Sequence, residues 1–289
     1  MISKKDKAAL IIRKNQALFR CPLCGGAMLL NDACSLMCPK NHSFDMARSG
    51  YLNLLTGAMR AKYPKELFQA RHRVIGRGFC APLIRELSAI VSSRAHHGAR
   101  KKSSMLDVGC GEGSHLKLLR TQLPARDRFT MIGADIAKEG IHIAAAGEDI
   151  IWTVADLTRL PFRDSTIDVI LNILSPANYP EFDRLLSRDG MVIKVIPGKD
   201  YLGELRQALC PQKEYSGERV ADYFSEHLLS AETHDVRYTF PVEADLLPDI
   251  IAMTPLMWGV AKGDALPDIP AITVDLKILV GKRKTAGAR

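Results

Sequence analysis

Four soft metal donors sit close together near the start of this 289-residue sequence: Cys21-Pro-Leu-Cys24, then thirteen residues, then Cys38, three more, and His42. Each pair belongs on a tight turn, so a C-x2-C-x13-C-x3-H spacing can gather four ligands around a tetrahedral zinc ion without long-range folding. Gly25 and Gly26 supply the left-handed backbone that such a turn uses. Free thiols or a redox pair are the alternative, but a redox C-x-x-C needs no second, matched pair. Cys34 is a further donor that this pairing leaves spare. Four protein ligands leave no open position, so the expected zinc is structural rather than catalytic.

A second group of residues has the makings of a nucleotide site. Met105-Leu-Asp-Val-Gly-Cys-Gly-Glu-Gly113 reads as a buried strand running into a G-x-G-x-G loop, with Asp107 two residues before Gly109. A nicotinamide-binding loop wants its third glycine three residues after the second, where this chain has Ser114. S-adenosylmethionine fits better. Gly109 and Gly111 permit close backbone approach, and a carboxylate such as Asp107 favours the ammonium and sulfonium charges. Asp135 ends a second strand, placed to accept both ribose hydroxyls, and Asp156, followed by Leu157, ends a third, placed to face adenine. A cap or turn role is the alternative for either acid. The fourth strand end reads Asn172-Ile-Leu-Ser-Pro176-Ala177, without the paired prolines and aromatic ring of enzymes that methylate exocyclic amines.

These residues need a scaffold that sets several strand ends side by side. From Met105 onward, apolar strand-like runs alternate with helical stretches, the pattern of a mostly parallel sheet covered on both faces. The expected fold class is therefore α/β, with a class I (Rossmann-like) methyltransferase domain over residues 105–289. The last run, Ala271-Ile-Thr-Val-Asp-Leu-Lys-Ile-Leu-Val-Gly-Lys282, has period-two character and is expected as an antiparallel edge strand. Upstream, Leu67, Ala70, Val74 and Ile75, then Leu83, Ile84, Leu87, Ile90 and Val91, recur at the helical spacings of three and four. The polar stretch from Ser92 to Ser104 reads as an exposed linker. The chain thus divides into an N-terminal extension (1–20), a small zinc-binding domain (21–58), a basic helical connector with its linker (59–104) and the methyltransferase domain.

Composition narrows the partners. Residues are 47% hydrophobic and 25% charged, enough apolar material for a folded chain and too ordered a pattern for disorder. No run approaches the roughly 18 apolar residues of a membrane span, and the cysteine cluster suits a reducing compartment, so the expected location is the cytoplasm with no membrane partner. Residues 1–104 carry 19 Lys+Arg against 5 Asp+Glu, whereas residues 105–289 carry 21 against 27. A surface of net +14 beside one of net −6 points to a basic part that docks phosphates.

At this point the residues resemble a known family. The zinc cluster, the stretch His42-Ser-Phe-Asp-Met-Ala-Arg-Ser-Gly-Tyr-Leu-Asn-Leu-Leu55, Gln69-Ala-Arg71, the Leu106–Gly113 loop and Met253-Thr-Pro255 with Trp258 are similar to the ribosomal RNA guanine-N1 methyltransferases that act on a hairpin loop of 23S RNA. The likeness runs from residue 20 to about 285. It implies a zinc-binding recognition domain, an S-adenosylmethionine domain and a cleft between them for RNA. It also implies cofactor contacts from the backbone at Cys110 and Gly111. Two further contacts fall where the family has a tyrosine and a histidine and this chain has Cys80 and Tyr201.

Methylation at guanine N1 requires a group or water to take the N1 proton. Asp45 and Glu66, acids in a basic region, are the candidates, with local ion pairing as the alternative. Arg48, Arg60, Lys62, Arg71 and Arg73 are the expected phosphate contacts, and Tyr51, Phe68, Phe79 and Trp258 the candidates to stack on the target base, with core packing as the alternative. A methyltransferase for a small molecule or another RNA, and a non-catalytic RNA-binding protein, are the rival functions; whether two copies pair as a homodimer is left open.

Overall fold

The structure, a computed structural model, describes residues 2–57, 63–94, 102–146, 149–210, 218–257 and 266–284. It opens with α1 (Lys4–Asn15), whose first turn is capped by the Ser3 hydroxyl accepting the Asp6 N–H. Three short strands follow, β1 (Leu29–Leu30), β2 (Ser35–Met37) and β3 (Ser43–Asp45), paired antiparallel into a ribbon. Next come β4 (Leu52–Asn53), α2 (Lys65–Gly76) and α3 (Ala81–Arg94). The alternating part then runs β5 (Ser103–Val108), α4 (Ser114–Gln122), β6 (Phe129–Asp135), α5 (Lys138–Ala144), β7 (Ile151–Val154), β8 (Ile167–Ile173), α6 (Tyr179–Leu185) and β9 (Leu186–Pro197). The last elements are α7 (Gly203–Leu209), α8 (Glu218–His227), β10 (Leu228–Pro241), α9 (Leu247–Ala252) and β11 (Ala271–Arg283).

Eight strands form one sheet in the order β10-β11-β9-β8-β5-β6-β7-β4. From β9 to β4 every pairing is parallel, and β11 pairs antiparallel with both β9 and β10. β5 is buried at every position after Ser103, as expected of a central strand covered on both faces. The chain leaves β5 toward β6 on one side and returns to β8 on the other, so the order reverses beside Val108 and a crevice opens at the strand ends there.

Two findings differ from the sequence reading. β11 is not an edge strand; it lies between β9 and β10 because Ile272, Val274, Leu276, Ile278 and Val280 bury one of its faces, and β10 takes the edge. The N-terminal segments also do not stand apart. β4 adds a parallel strand to the sheet beside β7, through Leu52 opposite Thr153 and Asn53 opposite Val154. Phe19 packs against Phe162 at a tilt of 48° with ring centroids 5.3 Å apart, and Ile12, Met28, Leu36 and Phe44 share one core with Val108, Ile132 and Ile170. On the opposite face α2 lies against α5 and α9, and α3 against α4 and β10. The segment read as a linker begins inside α3, which runs through Arg94. Among the described residues no helix is long and apolar enough to cross a membrane.

Candidate functional site

The ribbon holds a metal-ready cluster. The ligand atoms of Cys21, Cys24, Cys38 and His42 all lie within 4.8 Å of one another. Cys24 Sγ is 3.6 Å from Cys38 Sγ, and His42 Nδ1 is 3.4 Å from the sulfurs of both Cys21 and Cys38. A tetrahedral zinc with Zn–S of about 2.3 Å and Zn–N of about 2.05 Å sets such separations at about 3.8 Å and about 3.6 Å, so the donor set fits the ion. The turns that deliver the ligands are local. Gly25 sits at φ +73° and its N–H donates to the Cys21 carbonyl, while the Cys38 N–H donates to the His42 carbonyl. Burial opposes ionisation of Cys38, yet backbone donors around His42 and Lys40 and the neighbouring thiols bring it down to about 7.

The larger site is a cleft of about 680 Å3 at the strand ends, within the roughly 300–1,000 Å3 of small-molecule sites. One wall is the glycine loop. Gly109 has φ +80°, and its N–H donates to the Ala134 carbonyl, which ties the loop to β6. A side chain at Gly109 has no room, since its Cβ would stand 1.9 Å from Ser175 Oγ. Asp135 faces the loop from the end of β6. Its two oxygens accept the N–H groups of Gly111 and Ala137, each at 2.8 Å. Burial pushes its carboxyl above the usual carboxylate range, and those N–H donors with the Arg71 guanidinium hold it back.

Beneath the loop lie two further acids. Asp107 is 1% exposed, and its Oδ1 has no hydrogen-bond partner among the described residues. Burial, then the charges of Asp135 and Glu112, push its carboxyl up to about 8. Glu112, also 1% exposed, is raised by burial and lowered by Arg71, whose Nε lies 4.0 Å from it. A buried, under-partnered acid behind a positive-φ glycine cradle is the environment a cationic nucleotide would complement.

The far wall comes from β8, its following loop and β9. Asn172 is fully buried; its amide N–H groups donate to the Val108 and Pro176 carbonyls, and its Oδ1 accepts from Lys194 Nζ at 2.6 Å. Lys194, 4% exposed, also donates to the Ser175 carbonyl at 3.0 Å and lines the cleft. Burial lowers its ammonium to about 8, so it is still cationic at neutral pH. Phe68, Phe79, Tyr179 and Tyr223 supply aromatic surface along the cleft.

Of the residues expected from sequence, Gly109, Gly111, Asp135, Cys80, Tyr201 and Arg71 line this one cleft. Burial pushes both the Cys80 thiol and the Tyr201 hydroxyl up to about 12, so each is neutral there. Asp107 and Cys110 lie buried in and under the loop. Asp156 instead closes a turn, accepting the Thr158 N–H and hydroxyl, both at 2.8 Å, with Leu157 half-buried and 3.8 Å from the Cβ position of Gly109. Neither acid proposed for the proton reaches the cleft. Asp45 accepts the Ser35 hydroxyl on the ribbon at 2.6 Å, and Glu66 is exposed on the first turn of α2. Tyr51 is core, edge-on to His142. Arg73 forks onto Asp249, both contacts 2.6 Å, and Arg48 is exposed. Arg60, Lys62 and Trp258 lie outside the described residues. Sequence reasoning missed Lys194, His115, Tyr179 and Tyr223; a lysine inside the apolar run Met191–Pro197 was the available signal for the first.

Comparison with known proteins agrees with this geometry. Residues 19–58 match the zinc-ribbon family described as "RlmA, N-terminal", and residues 105–192 match a methyltransferase domain. A Bacillus subtilis protein named as a 23S rRNA (guanine-N1)-methyltransferase is 40% identical over 278 residues, covering 92% of this chain and 98% of its own. The 23S rRNA (guanine(748)-N1)-methyltransferase of Streptomyces fradiae is 30% identical over 86% of this chain and 88% of its own.

Proposed function

The chain belongs to the family of 23S rRNA (guanine-N1)-methyltransferases, and from that premise we propose that it transfers a methyl group from S-adenosylmethionine to N1 of a guanine in a hairpin loop of 23S ribosomal RNA, in the cytoplasm. The observation that carries the reading is the cleft itself, where a glycine loop, a ribose-ready acid and a wall of aromatic and cationic side chains meet at the switch point of the sheet.

When bound, S-adenosylmethionine supplies a methyl carbon already activated by its sulfonium. Gly109 and Gly111 give it backbone access, Asp135 accepts the ribose hydroxyls, and Asp107, neutral while the cleft holds no cation, ionises behind the loop to complement the positive charge. Cys80, Tyr201 and the backbone at Cys110 complete the cofactor wall, and Leu157, 3.8 Å from the Cβ position of Gly109, borders it, while Asp156 holds its own turn through Thr158. Zinc, held by Cys21, Cys24, Cys38 and His42, keeps the ribbon rigid. The protein otherwise aligns the base and excludes water, which is most of what an in-line displacement at carbon requires.

The basic N-terminal part docks the RNA through Arg48 and Arg71, with Arg60 and Lys62 in the same basic stretch, and Arg73 serving mainly to bind Asp249. The target guanine leaves its stack and enters the aromatic end of the cleft. Asn172 is fully buried, with both amide N–H groups on the Val108 and Pro176 carbonyls and its oxygen on Lys194, so it is committed to the fold rather than presented to an exocyclic amine, which favours N1 as the acceptor. Mapping the modified nucleotide by primer extension and mass spectrometry, in RNA from cells with and without this protein, tests the reading. A methyl group on the exocyclic amine or ribose, or unchanged 23S RNA, would refute it.

A further inference from the structure

Guanine N1 carries a proton at neutral pH, and its removal leaves a negative charge shared between N1 and the exocyclic O6. A site that methylates N1 therefore gains most from a donor or cation fixed where O6 will lie, because such a group stabilises the ionised base more than the neutral one. On the reading of the site given above, we infer that Lys194 is a catalytic residue that donates a hydrogen bond to O6 of the bound guanine and stabilises the base as its N1 proton leaves.

Four observations carry this assignment. Lys194 is a buried side chain that nonetheless lines the cleft. Its two hydrogen-bond partners, Asn172 Oδ1 and the Ser175 carbonyl, are neutral oxygens, which leaves one of its three N–H donors for a ligand. No carboxylate pairs with it among the described residues, so the fold holds an uncompensated cation in the otherwise apolar run Met191–Pro197, a costly arrangement unless something anionic arrives. The other charged groups on the cleft are placed differently. Arg71 lies over the glycine loop, its Nη1 3.1 Å from the Cβ position of Gly111, with Glu112 beneath it, and Asp135 and His115 sit on that same side. Arg219 approaches from α8. Among the charged side chains of the described residues, Lys194 alone lines the cleft from β9, beside the Ser175–Pro176 loop that faces Gly109.

The reaction balances without a further reagent. The N1–H bond breaks with its proton going to water and its electron pair remaining on the base; that pair forms the N1–C bond while the S–C bond breaks and its electrons stay on sulfur, giving S-adenosylhomocysteine. Lys194 keeps its proton throughout and only shares it with O6.

The test uses the full chain, zinc-loaded, with target RNA carrying 6-thioguanosine at the modified position, whose near-ultraviolet absorbance reports N1 ionisation. With S-adenosylhomocysteine present to prevent turnover, binding to the wild-type protein should lower the N1 pKa by about one unit or more. Lys194→Met should abolish that shift, lower kcat on ordinary RNA about 100-fold, and leave the calorimetric affinity for S-adenosylmethionine unchanged. An N1 pKa that does not move on binding the wild-type protein overturns the assignment, and this arm needs no variant to fold. A Lys194→Met protein with wild-type kcat overturns it as well. If the wild-type product proves to be methylated elsewhere than at guanine N1 of 23S RNA, the underlying reading fails, and that outcome is scored on unmodified RNA before Lys194 is touched.

Discussion

Replacing Asp107 by Asn removes a carboxyl group that the fold holds neutral, and the effect on stability follows from its surroundings. Burial, assisted by the charges of Asp135 and Glu112, raises this carboxyl from an ordinary 3.8 to about 8. Between those values the native chain keeps a proton that the unfolded chain has released. The contribution of Asp107 to stability is therefore complete below about pH 4 and is lost as pH rises through 8. At about 1.36 kcal/mol per pH unit, tapering near each end, the loss between pH 5 and pH 8 is about 3.5 kcal/mol, a large part of the roughly 5–15 kcal/mol that holds a domain together. Asn preserves the shape and carries no charge, so its curve lacks this slope. Urea unfolding of the cofactor-free wild type and Asp107→Asn at pH 5, 6.5 and 8 isolates the effect, because every other titration largely cancels in the difference. The variant should gain about 3.5 kcal/mol on the wild type across that range. A difference that stays constant to within about 0.5 kcal/mol would refute the reasoning, and with it the view that an unpaired acid beneath the loop is kept for a cationic ligand.

Zinc should be present at about one equivalent per chain by elemental analysis; Cys24→Ser should release it and lower the melting temperature, because Leu36 and Phe44 share a core with the sheet, while Cys34→Ser should keep the metal. Asp135→Ala orphans the Gly111 and Ala137 N–H groups and removes the proposed ribose acceptor, so calorimetric affinity for S-adenosylmethionine should fall at least about tenfold. Gly109→Ala forces a left-handed backbone and a clash with Ser175 Oγ, and should cost about 2–4 kcal/mol in urea unfolding; an unchanged midpoint would show that the loop yields freely. Arg48→Ala should reduce the slope of log affinity for target RNA against log salt by about 0.7–0.9 and leave cofactor titrations unaltered, whereas an unchanged slope would remove Arg48 from the RNA surface.

What was legible in the sequence was whatever a few neighbouring residues decide. Four zinc donors on two tight turns and a positive-φ glycine loop after a buried strand are set by spacings of two to four residues within each turn and by backbone rules, and the acid at the next strand end by the strand–helix alternation, so Cys21 to His42, Gly109, Gly111 and Asp135 could be named without knowing the fold. The period of the apolar runs likewise dictated an α/β sheet, because buried parallel strands and covering helices each leave their own repeat.

Tertiary packing decided the rest. Local pattern cannot say that Leu52 pairs with Thr153, that Arg73 is claimed by Asp249, or that β11 lies inside the sheet rather than at its edge. Asp156 shows the limit most plainly, since an acid at a strand end serves a ligand or its own turn with equal ease, and here it accepts from Thr158. Lys194 shows the opposite case: one charge in an apolar strand looks like a surface position until the sheet brings Asn172 and Ser175 to its ammonium. The sequence alone determined the ion, the cofactor loop and the fold class, where the governing forces act over one or two turns of chain. Which side chains face the shared cleft was decided only by the folded sheet, because those contacts join residues tens to hundreds of positions apart, and burial energy, not local propensity, selects among them.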